Sequence, residues 1–273
     1  MRKQVKCNLT DQIGKLKNLK GDDLAMVYAN EIISGYGGLD PDEARPAFIK
    51  VLTERLSDIK RAIEGFRKSE YPFAYNQQLR GEHDGAYREA VAEKEIVRGL
   101  MNLQRKCIPV INHYGKDKAI YPICDYEVPT LDKSGRVIDA VARCSDDRVC
   151  IYEAKNNMST ETLLRCLMEA FTYSLLINRD RFRESFGVGK KGRIVICPLI
   201  FEGTVPYSDL MGVKSNANEK QLFSRFVKEL ERVGDLKVEY AVLRTSDFFD
   251  KSGNIVFPDI GKTKFNKKWL PIK

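Results

Sequence analysis

Residues 136–155 read RVIDAVARCSDDRVCIYEAK, and the pattern in this stretch decides the fold. Two short apolar runs, VIDAVA and VCIYEA, flank a turn-rich connection. Their β-branched and aromatic residues suit a pleated surface, and Ser-Asp-Asp suits the hairpin between them. Successive strand side chains alternate between faces, so Glu153 and Lys155 point one way and Ala154 the other. With the two strands paired, Asp139 comes alongside Glu153 on a shared face. Ionised groups inside a sheet are costly unless partnered. These three charges therefore require either a bound cation or one another.

The pattern extends outward in both directions. Residues 120–128 (IYPICDYEV) give a further strand, joined through the turn-like LDKSG, so a β-meander is expected. Before it, residues 85–104 form an amphipathic helix with an apolar stripe of Ala86, Ala90, Val97 and Leu100. After it, Ser159 is positioned to cap a buried helix running to about residue 178. A glycine-rich basic loop then leads to Arg193–Phe201 (RIVICPLIF), a run apolar enough for a central strand. A helix over 218–233 and a strand over 236–244 follow. The order from residue 85 is helix, three strands, helix, strand, helix, strand: an α/β core with a mixed sheet.

The first 80 residues read as helical. Leu24, Val27, Tyr28 and Ile32 recur at helical spacing behind Asp22 and Asp23, and the glycines of SGYGGLD stop that helix. Phe48, Leu52, Leu56, Ile59, Ile63 and Phe66 mark a second, with Pro41 or Pro46 in its first turn. Tyr71-Pro72-Phe73 breaks the pattern. Tyr71, Phe73 and Tyr75 suit packing against the N-terminal helices better than stacking on bases. The chain thus divides into an N-terminal helical extension, 1–80, and a core with C-terminal additions, 81–273.

Composition limits the chemistry. Lys and Arg number 46 against 38 Asp and Glu, a formal charge of +8 in 273 residues, and His83 and His113 are the two histidines. A multi-imidazole zinc site and a Ser-His-Asp triad have few places to come from. Seven cysteines, scattered and without a C-x-x-C pair, suit reduced thiols and a cytoplasmic location. No secretory leader and no uncharged apolar run of ~18–20 residues is evident, so no membrane partner is expected. The basic excess fits an electrostatic footprint for nucleic acid. Lys190, Lys191 and Arg193 form a basic turn suited to a DNA backbone; the Walker spacing is not met by Gly187-Val188-Gly189-Lys190-Lys191.

The residue types around Asp139 suit hydrolysis assisted by a hard cation. Mg²⁺ takes oxygen ligands, and one or two carboxylates plus substrate phosphate commonly hold it. Asp139 and Glu153 supply two ligands and the carbonyl of Ala154 a third. Lys155 would orient or deprotonate the attacking water and stabilise charge developing on a phosphodiester. On the helix before the meander, Glu93 lies between Ala90 and Val97 on the apolar stripe and is preferred to Glu89 or Glu95 as a further acidic residue. Asp125 and Glu127 read as structural or exposed.

Asp139 followed by Glu153-Ala154-Lys155 resembles the D…(D/E)-x-K signature of the PD-(D/E)XK nuclease superfamily, with Ile138 in place of the proline. In the following helix, Glu169 and Tyr173 are similar to the Q-x-x-x-Y element of one of its branches, with Glu for Gln, and Arg165 lies one turn earlier on the same face. The tripeptide [DE]-x-K also occurs at Asp58-Ile59-Lys60 and Asp235-Leu236-Lys237; these lack the preceding hairpin and the following buried helix. The resemblance covers residues 85–200 or so. It implies a restriction-endonuclease-like αβββαβ core and a Mg²⁺-dependent nuclease, with Mn²⁺ able to substitute, acting on DNA. Two other readings stand beside it: a nuclease-like fold that only binds nucleic acid or protein, and a structural ion pair in another α/β protein. For the first 80 residues, homodimer formation, substrate recognition and partner docking are all open.

Overall fold

The computed structural model describes residues 8–66, 75, 92–116, 118–130, 136–144, 146–253 and 255. The N-terminal helices are α1 (Leu9–Asn18), α2 (Gly21–Ala25), α3 (Glu31–Gly35) and α4 (Pro41–Phe66), followed by α5 (Ala92–Arg105). A small hairpin pairs β1 (Ile111–Asn112) with β2 (Lys118–Ala119). The main sheet contains β3 (Ile123–Pro129), β4 (Val137–Arg143) and β5 (Arg148–Ala154), then β6 (Arg193–Phe201), β7 (Lys237–Val238) and β8 (Ala241–Leu243). Between β5 and β6 lie α6 (Leu163–Leu176) and α7 (Arg179–Ser185), and between β6 and β7 lie α8 (Val205–Ser215) and α9 (Ala217–Gly234).

Strand order is β3-β4-β5-β6-β7, with β8 also on β6. The first three strands form the expected antiparallel meander, and β6 runs parallel to β5. The β4–β5 hairpin closes through Asp147, whose φ of 56° lies in the left-handed region, and Cys144 donates its N–H to Arg148 O at 2.9 Å. Parallel β5 and β6 need a crossover, which α6 supplies. Period-two alternation then divides the sheet's two faces. Val141, Val149, Ile151, Ile194 and Ile196 join a core with α4, α6 and α9, while Ala140, Ala142, Cys150, Tyr152, Val195 and Cys197 join a second core with α5. The helices of residues 9–63 thus contribute to the same apolar cluster as α6.

Several local expectations differ from the structure. The helix drawn through Leu24–Ile32 breaks into α2, a 3-10 turn at Val27–Ala29 and α3, because Asn30 leaves helical geometry and its side chain caps α3 through the Ile32 N–H. Pro41, not Pro46, opens α4. The cap of α6 is Thr162 instead of Ser159: its Oγ1 accepts from Arg165 N at 3.1 Å. Helices α7 and α8 were not expected; α7 occupies part of what read as basic loop. The strand over 236–244 is interrupted, although β7 and β8 keep one register on β6. Tyr75 is fully buried and packs edge-on against Phe182 at 5.3 Å, a core role. Tyr71, Phe73, residues 85–91 and the LDKSG turn lie outside the described residues. The six described cysteines are free thiols, and no described helix is long and apolar enough to cross a membrane.

Candidate active site

The site lies where β5 ends. Extending the β4–β5 register of Ala140 with Tyr152 by one residue places Asp139 opposite Glu153, both on the α6 face. Asp139 Oδ2 accepts the N–H of Ala154 at 2.8 Å, and Lys155 N–H donates to Leu199 O at 3.0 Å, so the backbone carrying the charges is held from both sides. Glu153 is 3% exposed and Lys155 7%. Three carboxylates close on the one ammonium: Lys155 Nζ lies 2.7 Å from Glu153 Oε1, 2.9 Å from Glu161 Oε2 and 3.1 Å from Glu169 Oε2. Residues four apart share a helix face, and α6 and its approach use this spacing. Arg165 Nε lies 2.8 Å from Glu161 Oε1 and 3.7 Å from Glu169 Oε2, and Tyr173 donates to Glu169 Oε1 at 3.0 Å.

Burial and like charge set the protonation of the pair. Burial pushes the Asp139 carboxyl up to about 7, against the pull of Lys155 and the Ala154 N–H. Burial, then the Asp139 charge, pushes Glu153 well above the ordinary carboxylate range. For Lys155 burial acts to discharge the ammonium, but Glu153 and the neighbouring anions outweigh it and keep it charged. Glu169 is buried too, yet Lys155, a hydrogen bond from Glu153 and Arg165 hold it below its usual value. Glu153 Oε2 has no donor among the described residues when ionised. Protonated, Glu153 is able to donate to Glu169.

Comparison with protein-family models, with curated proteins and with solved structures finds no match for the chain. Among the described residues, no group of three or more His, Cys, Asp or Glu side chains is arranged to hold a metal ion. What the site offers is a two-carboxylate donor set beside one lysine.

The remaining expected residues fall in two groups. Glu93 comes from α5, on the opposite face of the sheet, and accepts from Asn156 Nδ2 at 2.9 Å; its charge is felt at Asp139. Glu95 is exposed and Glu89 lies outside the described residues. Asp125 is buried, with Oδ1 accepting from Tyr126 N, and Glu127 pairs with Lys94 at 2.6 Å. The second group is not brought to the site. Arg193 pairs with Arg148 at the start of the parallel ladder, whereas Glu153 pairs with Pro198. At ~3.3 Å per residue the separation along the strand is about 16 Å. Lys190, Lys191 and Arg193 are exposed at that far end, where Gly189 N–H is held by Asp147 at 2.8 Å. Sequence reasoning did not single out Glu161, although its spacing of four from Arg165 and eight from Glu169 was visible. Asn156 carried no comparable signal.

Proposed function

We propose that the chain is a divalent-metal-dependent nuclease that hydrolyses DNA phosphodiester bonds. The observation that carries this reading is the juxtaposition of Asp139 with Glu153 on neighbouring antiparallel strands, with the Lys155 ammonium against Glu153 and Glu169. The order helix, three-stranded meander, crossover helix, parallel strand also supports it, since the PD-(D/E)XK resemblance implies a restriction-endonuclease-like αβββαβ core. The donor set fits a hard cation. Two carboxylates repel each other in a dry setting, and the buried Glu153 Oε2 has no donor when charged. Asp139, Glu153 and the Ala154 carbonyl would hold Mg²⁺ or Mn²⁺, with waters or substrate phosphate completing the shell. When bound, the cation supplies Lewis acidity and an acidified water.

The chain's own residues then take distinct roles. Lys155 stays an ammonium, so it stabilises charge developing on the phosphodiester and orients water; proton abstraction by this group does not suit its surroundings. Glu169, Glu161 and Arg165 fix where that ammonium points. Glu93, through Asn156, adds negative charge from the other face. Lys190, Lys191 and Arg193 would meet only DNA backbone remote from the scissile bond.

Purified protein incubated with supercoiled and linear DNA in Mg²⁺ or Mn²⁺ tests the proposal. Expected are cleavage, its loss in EDTA and its loss in Glu153→Gln. No cleavage on any substrate, or cleavage that survives both EDTA and the substitution, refutes it. One observation favours a second reading: three carboxylates already close on Lys155, as a structural ion cluster requires. That reading predicts that neutralising Glu153 destabilises the metal-free protein, whereas the metal reading predicts no loss or a gain.

A further inference from the structure

The N-terminal segment enters the site through one side chain. Tyr28, in the Val27–Ala29 turn, is 7% exposed and meets Tyr173 edge-on, with ring centroids 5.8 Å apart and planes at 72°. The Tyr173 hydroxyl donates to Glu169 Oε1 at 3.0 Å. The Arg165 guanidinium carbon lies 6.0 Å over the Tyr28 ring, within cation–π range. Tyr28 therefore touches both groups that hold the carboxylates around Lys155: Tyr173 holds Glu169, and Arg165 holds Glu161 and Glu169.

The backbone fixes this arrangement. Thr162, the cap of α6, donates its N–H to Ser34 O at 3.2 Å and its hydroxyl to Ile33 O. The segment carrying Tyr28 is thereby fastened to the end of α6 from which Arg165 and Glu169 project. The Tyr28 ring meets two polar members of the site, Tyr173 and Arg165.

We propose that Tyr28 is a positioning residue of the active centre, acting through Tyr173 and Arg165 to hold Glu169 and Glu161, and through them the Lys155 ammonium. This rests on the nuclease reading for its kinetic consequence and on the geometry alone for its structural one. The N-terminal helical layer is then part of the catalytic unit. Tyr28→Phe keeps both ring contacts; Tyr28→Leu removes both.

Two measurements test it on the full chain. The first needs no activity: methylation of lysines by formaldehyde and cyanoborohydride, with the modified sites read by mass spectrometry. Lys155 should be protected in the wild type and in Tyr28→Phe and should react faster in Tyr28→Leu, while buried core amides keep their hydrogen-exchange protection. Equal Lys155 protection in wild type and Tyr28→Leu overturns the proposal whether or not the protein cuts DNA. The second is kinetic. Partners that orient a catalytic group cost about 10–100-fold when removed, so Tyr28→Leu should lower kcat by about 10-fold with KM little changed, and Tyr28→Phe should keep the wild-type value. In a Tyr173→Leu background Tyr28→Leu should cost less than it does alone, because the two substitutions remove the same ring contact. Unchanged kcat, or losses that multiply in the double variant, overturns it. A wild type without cleavage, but with Lys155 unmasked by Tyr28→Leu, sinks the nuclease reading and leaves the positioning contact standing.

Discussion

Asp139→Asn should make the metal-free protein more stable near neutral pH, and by a sizeable amount. The Asp139 carboxyl has an ordinary value of 3.8 and is raised to about 7 in the folded chain, by burial first. Between those values the folded protein holds the proton and the unfolded chain has released it. Stability therefore falls as pH rises through this window, and its contribution is fully present below it. At ~1.36 kcal/mol per pH unit the ceiling is about 4 kcal/mol. Asp139 is only half-buried, and solvent screening cuts the expected loss to about 2 kcal/mol. Glu153 is shifted in the same direction, so the informative quantity is the difference between wild type and variant. Urea unfolding in EDTA at about pH 5 and about pH 8 measures it. The Asn side chain can still accept from Ala154 N–H, which keeps the strand ends joined. The variant should exceed the wild type by under about 1 kcal/mol at the lower pH, which already lies above the ordinary value of 3.8, and by about 2 kcal/mol at the higher. Saturating Mg²⁺ should then raise the wild type and not the variant, by about 2.7 kcal/mol at a hundredfold excess over Kd. A variant less stable than wild type at about pH 8 in EDTA would refute the reasoning, because the carboxylate would then be an anchor.

Three further outcomes follow from other contacts. Lys155→Met strands Glu153, Glu161 and Glu169 and should cost about 3–5 kcal/mol, more at about pH 8 than at about pH 5, in urea titrations; a flat pH response would contradict the charge argument. Arg45 is 4% exposed, pairs with Asp209 at 3.0 Å and with Glu219, and Asp209 in turn accepts from Tyr36 and from Leu163 N–H. Arg45→Ala should cost about 3–5 kcal/mol by thermal unfolding, and Arg45→Met less. A Cβ on Gly192 would stand 2.6 Å from Asp147 O and run into Val188, so Gly192→Ala should destabilise by about 1–3 kcal/mol through overpacking, as thermal unfolding would measure.

The meander and the crossover were legible because period-two apolar alternation and a fully apolar run are local signals. They named β3, β4, β5 and β6 to within a few residues, and Asp139 and Glu153 stood out as charges in those runs. Helices α7 and α8 were missed for an equally local reason: α7 is short and basic, and α8 has too mixed a face to show a stripe. The N-terminal break at Asn30 is a capping choice that competes with an otherwise continuous helical spacing. Tyr28 and Lys155 are 127 positions apart in sequence. Nothing local could relate them, since their link passes through Tyr173, Arg165 and the carboxylates of another helix.

Glu161, Arg165, Glu169 and Tyr173 place a polar line on an approach and helix that are otherwise buried among Leu, Met, Phe and Ala. A purely structural ion cluster has little to gain from such a line. Replacing buried ion pairs by apolar groups of similar volume is often neutral or stabilising, whereas an uncompensated buried charge is strongly destabilising. Here the balance fails. Among the described residues, Asp139, Glu153, Glu161 and Glu169 gather around Lys155 and Arg165, with Glu93 contributing from beyond Asn156 and Arg136 from beyond Tyr28. The surplus falls on Asp139 and Glu153, the two groups with raised affinity for a proton, and not on Glu169, which its cations satisfy. A surplus located on two neighbouring carboxylates at a strand end is what a cation would neutralise. An ion cluster serving stability alone would place its counter-charge there already.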